Sequence, residues 1–199
     1  MKNVLQTIVA LLTTLVISCS SNYTALPKYK RSDWPHWSMS SEKCLNMRQK
    51  VLKDRSLIPA TINKKTCRVL NGAWNDYYYP ETLHNSNSID VDHLVPLKHA
   101  HDHGAAHWNR EQKKAFSNDP QNLVITNRKY NRQKSSQGIA TWLPSRIQYA
   151  CRYVRDWLSV KNKYGLEINE VEKTTVKSIA TSCKGLKLFA TRDLERENQ

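Results

Sequence analysis

An aspartate and a histidine stand side by side at Asp92-His93 on a short apolar segment. Two carboxamides follow, Asn122 beside a second apolar segment and Asn131 inside the basic segment Arg128 to Lys134. A carboxylate and an amide carbonyl are the hard oxygen ligands that magnesium or calcium takes, usually alongside several waters. A neutral imidazole is a competent general base for water. Arg128, Lys129, Arg132 and Lys134 supply the positive charge that a phosphate requires. These groups match the needs of phosphodiester hydrolysis: an activated nucleophile, neutralisation of charge on phosphorus, and a stabilised leaving oxygen.

For those side chains to meet, the elements that carry them must be adjacent. Ile89, Val91, His93 and Val95 alternate with Asp90, Asp92 and Leu94, the period of a strand ended by Pro96. Strict alternation puts Asp92 and His93 on opposite faces, so a shared site requires the strand to twist or end there. Residues 97–118 form a long polar excursion with a helix expected over 109–116. Asn118-Asp119-Pro120 reads as a turn, 123–126 as a second strand, and Asn127 as the cap of a helix starting near Arg128. His99, His101, His103 and His107 invite a transition-metal reading, since imidazole suits zinc or nickel. Their spacing matches no metal motif, and a solvated loop or helix is expected there.

Upstream, SDWPHW (32–37) suggests an aromatic strap laid on a core. Ser40 or Ser41 caps an expected helix reaching Asp54, and Pro59 with the polar run TINKKT breaks it. Residues 67–70 read as a strand, Asn71-Gly72 as a turn, and Tyr77, Tyr78 and Tyr79 as rings packed around the site. Downstream, an amphipathic helix runs from Ser145 to Tyr164 with Lys161 on the stripe of Trp157 and Leu158. Gly165 stops it, and Asn169 caps a second helix that ends at Gly185. Cys151 and Cys183 are equidistant from residue 167, at the centre of the connection, so antiparallel arms of equal length pair them and leave Cys44 for Cys67.

At 199 residues the chain has room for one sizeable core. Its first eighteen residues, one lysine and then an uncharged apolar run, suit a signal peptide, too short for a comfortable membrane span. The run ends in LVISC, which resembles the lipobox of bacterial lipoproteins and marks Cys19 for lipidation. Export permits disulfides among the four remaining cysteines, and the absence of any CxxC argues against a four-cysteine zinc site. A formal net charge of +14 and a pI near 9.7 point to an acidic polymer or membrane surface as partner.

Asp92-His93, Asn122-Leu123 and Asn131-Arg132-Gln133-Lys134 together resemble the HNH endonuclease family, most closely exported members with DHLVPL-like and NDPxNL-like segments. Asn131 stands where many members carry histidine. The resemblance implies an α+β fold: a small ββα-metal core with surrounding helices and a C-terminal helical hairpin, stapled by disulfides. It implies His93 as general base, Asp92 and Asn131 as metal ligands, Asn122 as the brace of the loop holding His93, and Arg132 and Lys134 on phosphate with Arg128 and Lys129 beside them. The cofactor is expected to be a divalent ion, magnesium first, with manganese, calcium, zinc and nickel open.

The expected organisation is a signal peptide (1–18), a tether and strap (19–40), and a nuclease domain (41–199) with its core at 89–134 and a hairpin at 145–184. The expected function is cleavage of DNA, with RNA as a second substrate, at low sequence specificity. The protein would be bound to the bacterial cell envelope through lipid on Cys19 and need no obligate protein partner. The alternative is a non-catalytic lipoprotein that binds nucleic acid or the envelope.

Overall fold

The computed structural model describes residues 25–42 and 44–183. The signal peptide, Cys19 and Gly185 lie outside the described residues, and among those described no helix is long and apolar enough to cross a membrane. The fold is α+β. Strands β1 (Thr61–Asn63), β2 (Arg68–Asn75) and β3 (Thr82–Asn85) form an antiparallel sheet in that order. Strands β4 (Ile89–His93) and β5 (Leu123–Asn127) pair separately, in unbroken antiparallel register from Ile89↔Asn127 to His93↔Leu123.

Helix α1 (Met47–Asp54) begins later than the sequence suggests. Its cap is Asn46, whose side chain accepts from the Gln49 amide, while Met39 and Asn46 form an isolated bridge ahead of it. Asn71-Gly72, expected as a turn, lies within β2, and the supposed polar break at 61–63 is β1. The cause is tertiary. Trp74 is fully buried, its indole N–H donates to the Leu52 carbonyl at 2.7 Å, and its ring folds over Gly72 where the strand register shifts. A Cβ at Gly72 would sit 2.6 Å from that ring and 2.5 Å from Ser56 Oγ. The glycine therefore serves a close approach within a bulged strand.

The excursion between β4 and β5 holds a short helix α2 (Leu97–Ala100), a π-type turn (His101–Ala105) and α3 (Arg110–Ser117), which Asn109 and Gln112 close with a reciprocal capping box. Helix α4 (Arg128–Lys134) follows β5 directly, capped by Asn127, so the strand, excursion, strand, helix order read from the sequence is the one observed. The C-terminal hairpin pairs α5 (Ile147–Lys163) with α6 (Glu170–Ser182), Gly165 turning with φ +60. Both expected disulfides are present, Cys151–Cys183 across the hairpin and Cys44–Cys67 between the α1 approach and the start of β2. In the chain-entropy picture each closes a loop worth roughly 3–4 kcal/mol.

The larger core joins the hairpin to α3 and the strap: Trp34 is buried against Phe116, while Tyr153, Val154 and Trp157 point inward from α5. A second cluster, with Leu52, Trp74, Ile89 and Leu123 at its centre, fills the space between the two sheets. Gly72→Ala should destabilise the protein by about 1–3 kcal/mol, the usual range for overpacking, measured as a lower thermal midpoint with both disulfides intact.

Candidate active site

The regular β4 ladder sends successive side chains to opposite faces, and the site is built around that fact. Asp90 and Asp92 face α4. Asp90 Oδ1 accepts from Arg128 Nε at 3.3 Å and Asp90 Oδ2 from Asn131 Nδ2 at 3.0 Å. Asp92 Oδ2 accepts from the Tyr78 hydroxyl at 2.7 Å and lies 2.9 Å from Lys134 Nζ. The same ammonium donates to the His93 carbonyl at 2.9 Å. Lys134 is 0% exposed and Asp92 7%, so this is a buried ion pair completed by hydrogen bonds, the condition under which a buried charge is tolerable.

His93 is the last residue of β4, and the chain bends at Leu94 and Val95 immediately after it. Its ring leaves on the other side. Trp37 from the strap stacks on it, with centroids 5.5 Å apart and planes 8° from parallel, and its Nε2 lies 2.9 Å from the Ser117 carbonyl at the end of α3. A carbonyl only accepts, so Nε2 carries the proton and Nδ1 is the bare nitrogen. Desolvation pushes the imidazole pKa down to about 4 against the opposing pull of the Ser117 carbonyl and Asp92, which keeps the ring neutral at physiological pH.

Asn122 is wholly buried and pairs both ways with the Val95 peptide: its Oδ1 accepts from Val95 N at 2.8 Å and its Nδ2 donates to Val95 O at 3.2 Å. Its own carbonyl accepts from Leu94 N. The turn that ends β4 is thus held by one side chain. Tyr78 is fully buried, with its hydroxyl pKa raised well above the usual value by desolvation and the Asp92 charge. Tyr77 bonds Asp156 instead, and Tyr79 stacks on Tyr130 at 3.7 Å.

The expected groups divide as follows. Asp92, Lys134 and the His93 backbone converge; Asn131 joins Asp90, and Arg128 does the same. Arg132 and Lys129 are exposed on α4. The expectation that Lys134 contacts phosphate is corrected: it is sealed from solvent because its charge answers Asp92. The expected solvated histidine segment is corrected too, since His99 and His101 are buried.

Two further aspartates hold the surroundings of the site. In the sequence Asp90 reads only as the polar half of an alternation, whereas in the structure it holds both Arg128 and Asn131. Asp76 is a buried hub: its Oδ1 accepts from the Tyr78 and Tyr79 amides and its Oδ2 from Thr126 Oγ1 and the Asn127 amide, fastening the tyrosine turn to the end of β5. Its signal was an Asp followed by residues able to form an Asx turn.

The donor set suits a hard divalent ion. Both contacts on Asp92 fall on Oδ2, so Oδ1 is the oxygen a cation would take. The Asn131 amide gives its nitrogen to Asp90, which leaves its carbonyl oxygen as the end a cation would take.

In the metal-free protein, the His93 ring should remain neutral until about pH 4 in imidazole NMR titration. Between the ordinary value near 6.5 and 4 the unfolded chain binds a proton that the folded chain refuses. Stability should therefore fall as pH drops through this window, by at most about 1.4 kcal/mol per pH unit, and His93→Gln should flatten that slope in urea titrations.

Residues 46–175 match the family model described as GmrSD restriction endonucleases, C-terminal domain. A relative from Arthroderma benhamiae, an "Uncharacterized secreted protein", is 34% identical over 158 residues, covering 78% of this chain and 76% of its own. No solved structure matches. Two disulfides and a secreted relative both point to export. With that match spanning well over half its length, the chain belongs to the GmrSD restriction endonuclease C-terminal domain family, an HNH-type nuclease family.

Proposed function

We propose that the protein is a metal-dependent endonuclease that hydrolyses DNA, and RNA as a second substrate, with little sequence preference. The observation that carries this reading is the His93 ring, neutral and anchored through Nε2 on the Ser117 carbonyl, so that Nδ1 is free to take a proton from water. The base is held by two neighbours that do not react: Trp37 fixes the plane of the ring, and Asn122 fixes the turn behind it.

Asp92 and Asn131 would hold a divalent ion, and two oxygen donors suit magnesium. Such an ion supplies charge neutralisation at the phosphate and stabilises the leaving oxygen. Tyr78 and Lys134 hold the Asp92 carboxylate in place, and Asp90 sets the Asn131 amide. Because Asp92 and His93 leave β4 on different sides, the scissile phosphate must lie across the end of the strand, where the two faces meet. Arg132 and Lys129, exposed on α4, would contact backbone phosphate, as would Arg128 on release from Asp90. Such contacts fix position without reading sequence, hence the low specificity. Lipid on Cys19 would keep the enzyme at a bacterial cell envelope.

One observation favours a rival: Lys134 already meets the Asp92 charge, which suits a nucleic-acid-binding protein without catalysis. Plasmid digestion separates the two. Activity should require added magnesium, vanish with EDTA, and fall about 10²–10⁴-fold in His93→Ala, with large losses in Asp92→Asn and Asn131→Ala. Arg132→Ala should weaken binding across all sequences and reduce its salt dependence. Digestion indifferent to both EDTA and His93→Ala would leave the binding protein as the better account.

A further inference from the structure

The four histidines of the excursion have separate fates. His107 is exposed, and His101 turns away to the Pro27 carbonyl and the edge of Tyr29. His99 and His103 converge on Glu172 of α6. The backbone arranges this convergence, because α2 runs into the π-type turn, where His103 (φ −119, ψ 37) and Gly104 (φ 115) leave helical geometry. Such turns within helices often re-aim side chains at functional sites. The two imidazoles stack with centroids 3.9 Å apart.

The protons can be placed from the contacts. His103 Nδ1 is 2.8 Å from the His99 carbonyl, so it carries the hydrogen, and its Nε2 is bare. That Nε2 lies 3.2 Å from Asn169 Nδ2 and 3.7 Å from Glu172 Oε1, and His99 Nε2 lies 2.9 Å from the same oxygen. His99 Nε2 and Glu172 Oε1 are both buried, and neither makes a well-oriented hydrogen bond. His103 Nε2, whose present partner is the Asn169 Nδ2 donor that an ion would displace, thus lies 3.7 Å from the carboxylate oxygen, with His99 Nε2 beside them.

The dimensions agree with a metal. Ligand distances of about 2.0–2.1 Å in tetrahedral geometry put donor atoms about 3.3 Å apart, and the separations of 2.9 and 3.7 Å bracket that figure. The surrounding contacts brace the donors. Glu172 Oε2 is held by the buried Lys161 at 2.9 Å, which leaves Oε1 as the single donor, and the His99 ring lies against Gly138, where a Cβ would come within 2.4 Å of it.

We propose that His99, His103 and Glu172 form a second metal site, separate from Asp92 and Asn131, for a borderline divalent transition ion such as zinc. Two imidazoles and one carboxylate oxygen suit zinc, where the oxygen-only set on β4 and α4 suits magnesium. An ion there fastens the excursion to the C-terminal hairpin, reinforcing the Glu167 amide to His103 carbonyl hydrogen bond. The three protein donors come from two distant segments, and a water would complete the tetrahedron.

The test uses the full exported protein, stripped with EDTA and titrated with zinc alone and, separately, cobalt(II). One equivalent of zinc should raise the thermal midpoint by several degrees, and cobalt should give an intense tetrahedral visible spectrum. Both effects should persist in Asp92→Asn and disappear in His103→Gln, whose magnesium-supported plasmid cleavage should be retained. If His103→Gln does not fold, imidazole NMR of the unaltered protein decides: zinc should shift the ring signals of two histidines other than His93. The absence of any zinc effect, an effect lost in Asp92→Asn but kept in His103→Gln, or a shift confined to His93 would each overturn the proposal, and none of these depends on the nuclease reading.

Discussion

The Lys134 ammonium is the contact on which the rest of the site depends. It comes from the last turn of α4, is fully buried, and reaches both the Asp92 carboxylate and the His93 carbonyl. An uncompensated carboxylate at that depth would be costly, and an uncompensated ammonium equally so, so each makes the burial of the other possible. Their pairing fixes the distance and rotation of α4 against β4. That in turn sets where Asn131, one turn earlier, meets Asp90. The supporting helix and the strand are locked by charge where most of the core is locked by apolar contact.

Around this pair the chain uses single polar side chains to hold several backbone groups at once. Asn122 satisfies the Val95 peptide in both directions, and Asp76 receives four donors from two segments. Irregular backbone next to a site has polar groups that no sheet or helix satisfies, and buried ones must find partners. Concentrating those partners on two buried residues gives a rigid surround to a strand end that would otherwise fray. Tyr78 links the systems, its amide on Asp76 and its hydroxyl on Asp92.

The sequence made the local signals legible and left the long-range ones hidden. Helix caps at Asn127 and Asn169, the stop at Gly165 and the period-2 strand that starts at Ile89 are each decided within a few residues, and the structure has them, although the strand ends at His93 and not at Val95. The Cys151–Cys183 pair follows from arm lengths, and Cys44–Cys67 is what remains. Asn71-Gly72 misled because its fate rests with Trp74 and Ser56, and Lys134 misled because exposed and buried lysines look alike until the partner carboxylate is known. Nothing local connects Glu172 with His99 and His103, since it stands 69 positions beyond the nearer imidazole and only the hairpin brings them together.

Trp37 belongs to an irregular segment ahead of residue 46, where the family match begins, yet its ring covers the His93 imidazole. The same segment is moored to the end of α3, through the Ser38 amide on Asn118 and the Asn118 amide on the His36 carbonyl. The ring over His93 and the strand that carries His93 therefore come from different parts of the chain, one ahead of the family match and one within it. Changes in this segment would widen or close the approach to the ring while the strands and α4 beneath keep their own contacts. Access to the His93 ring is thereby set by a segment that the strands and α4 do not need in order to form.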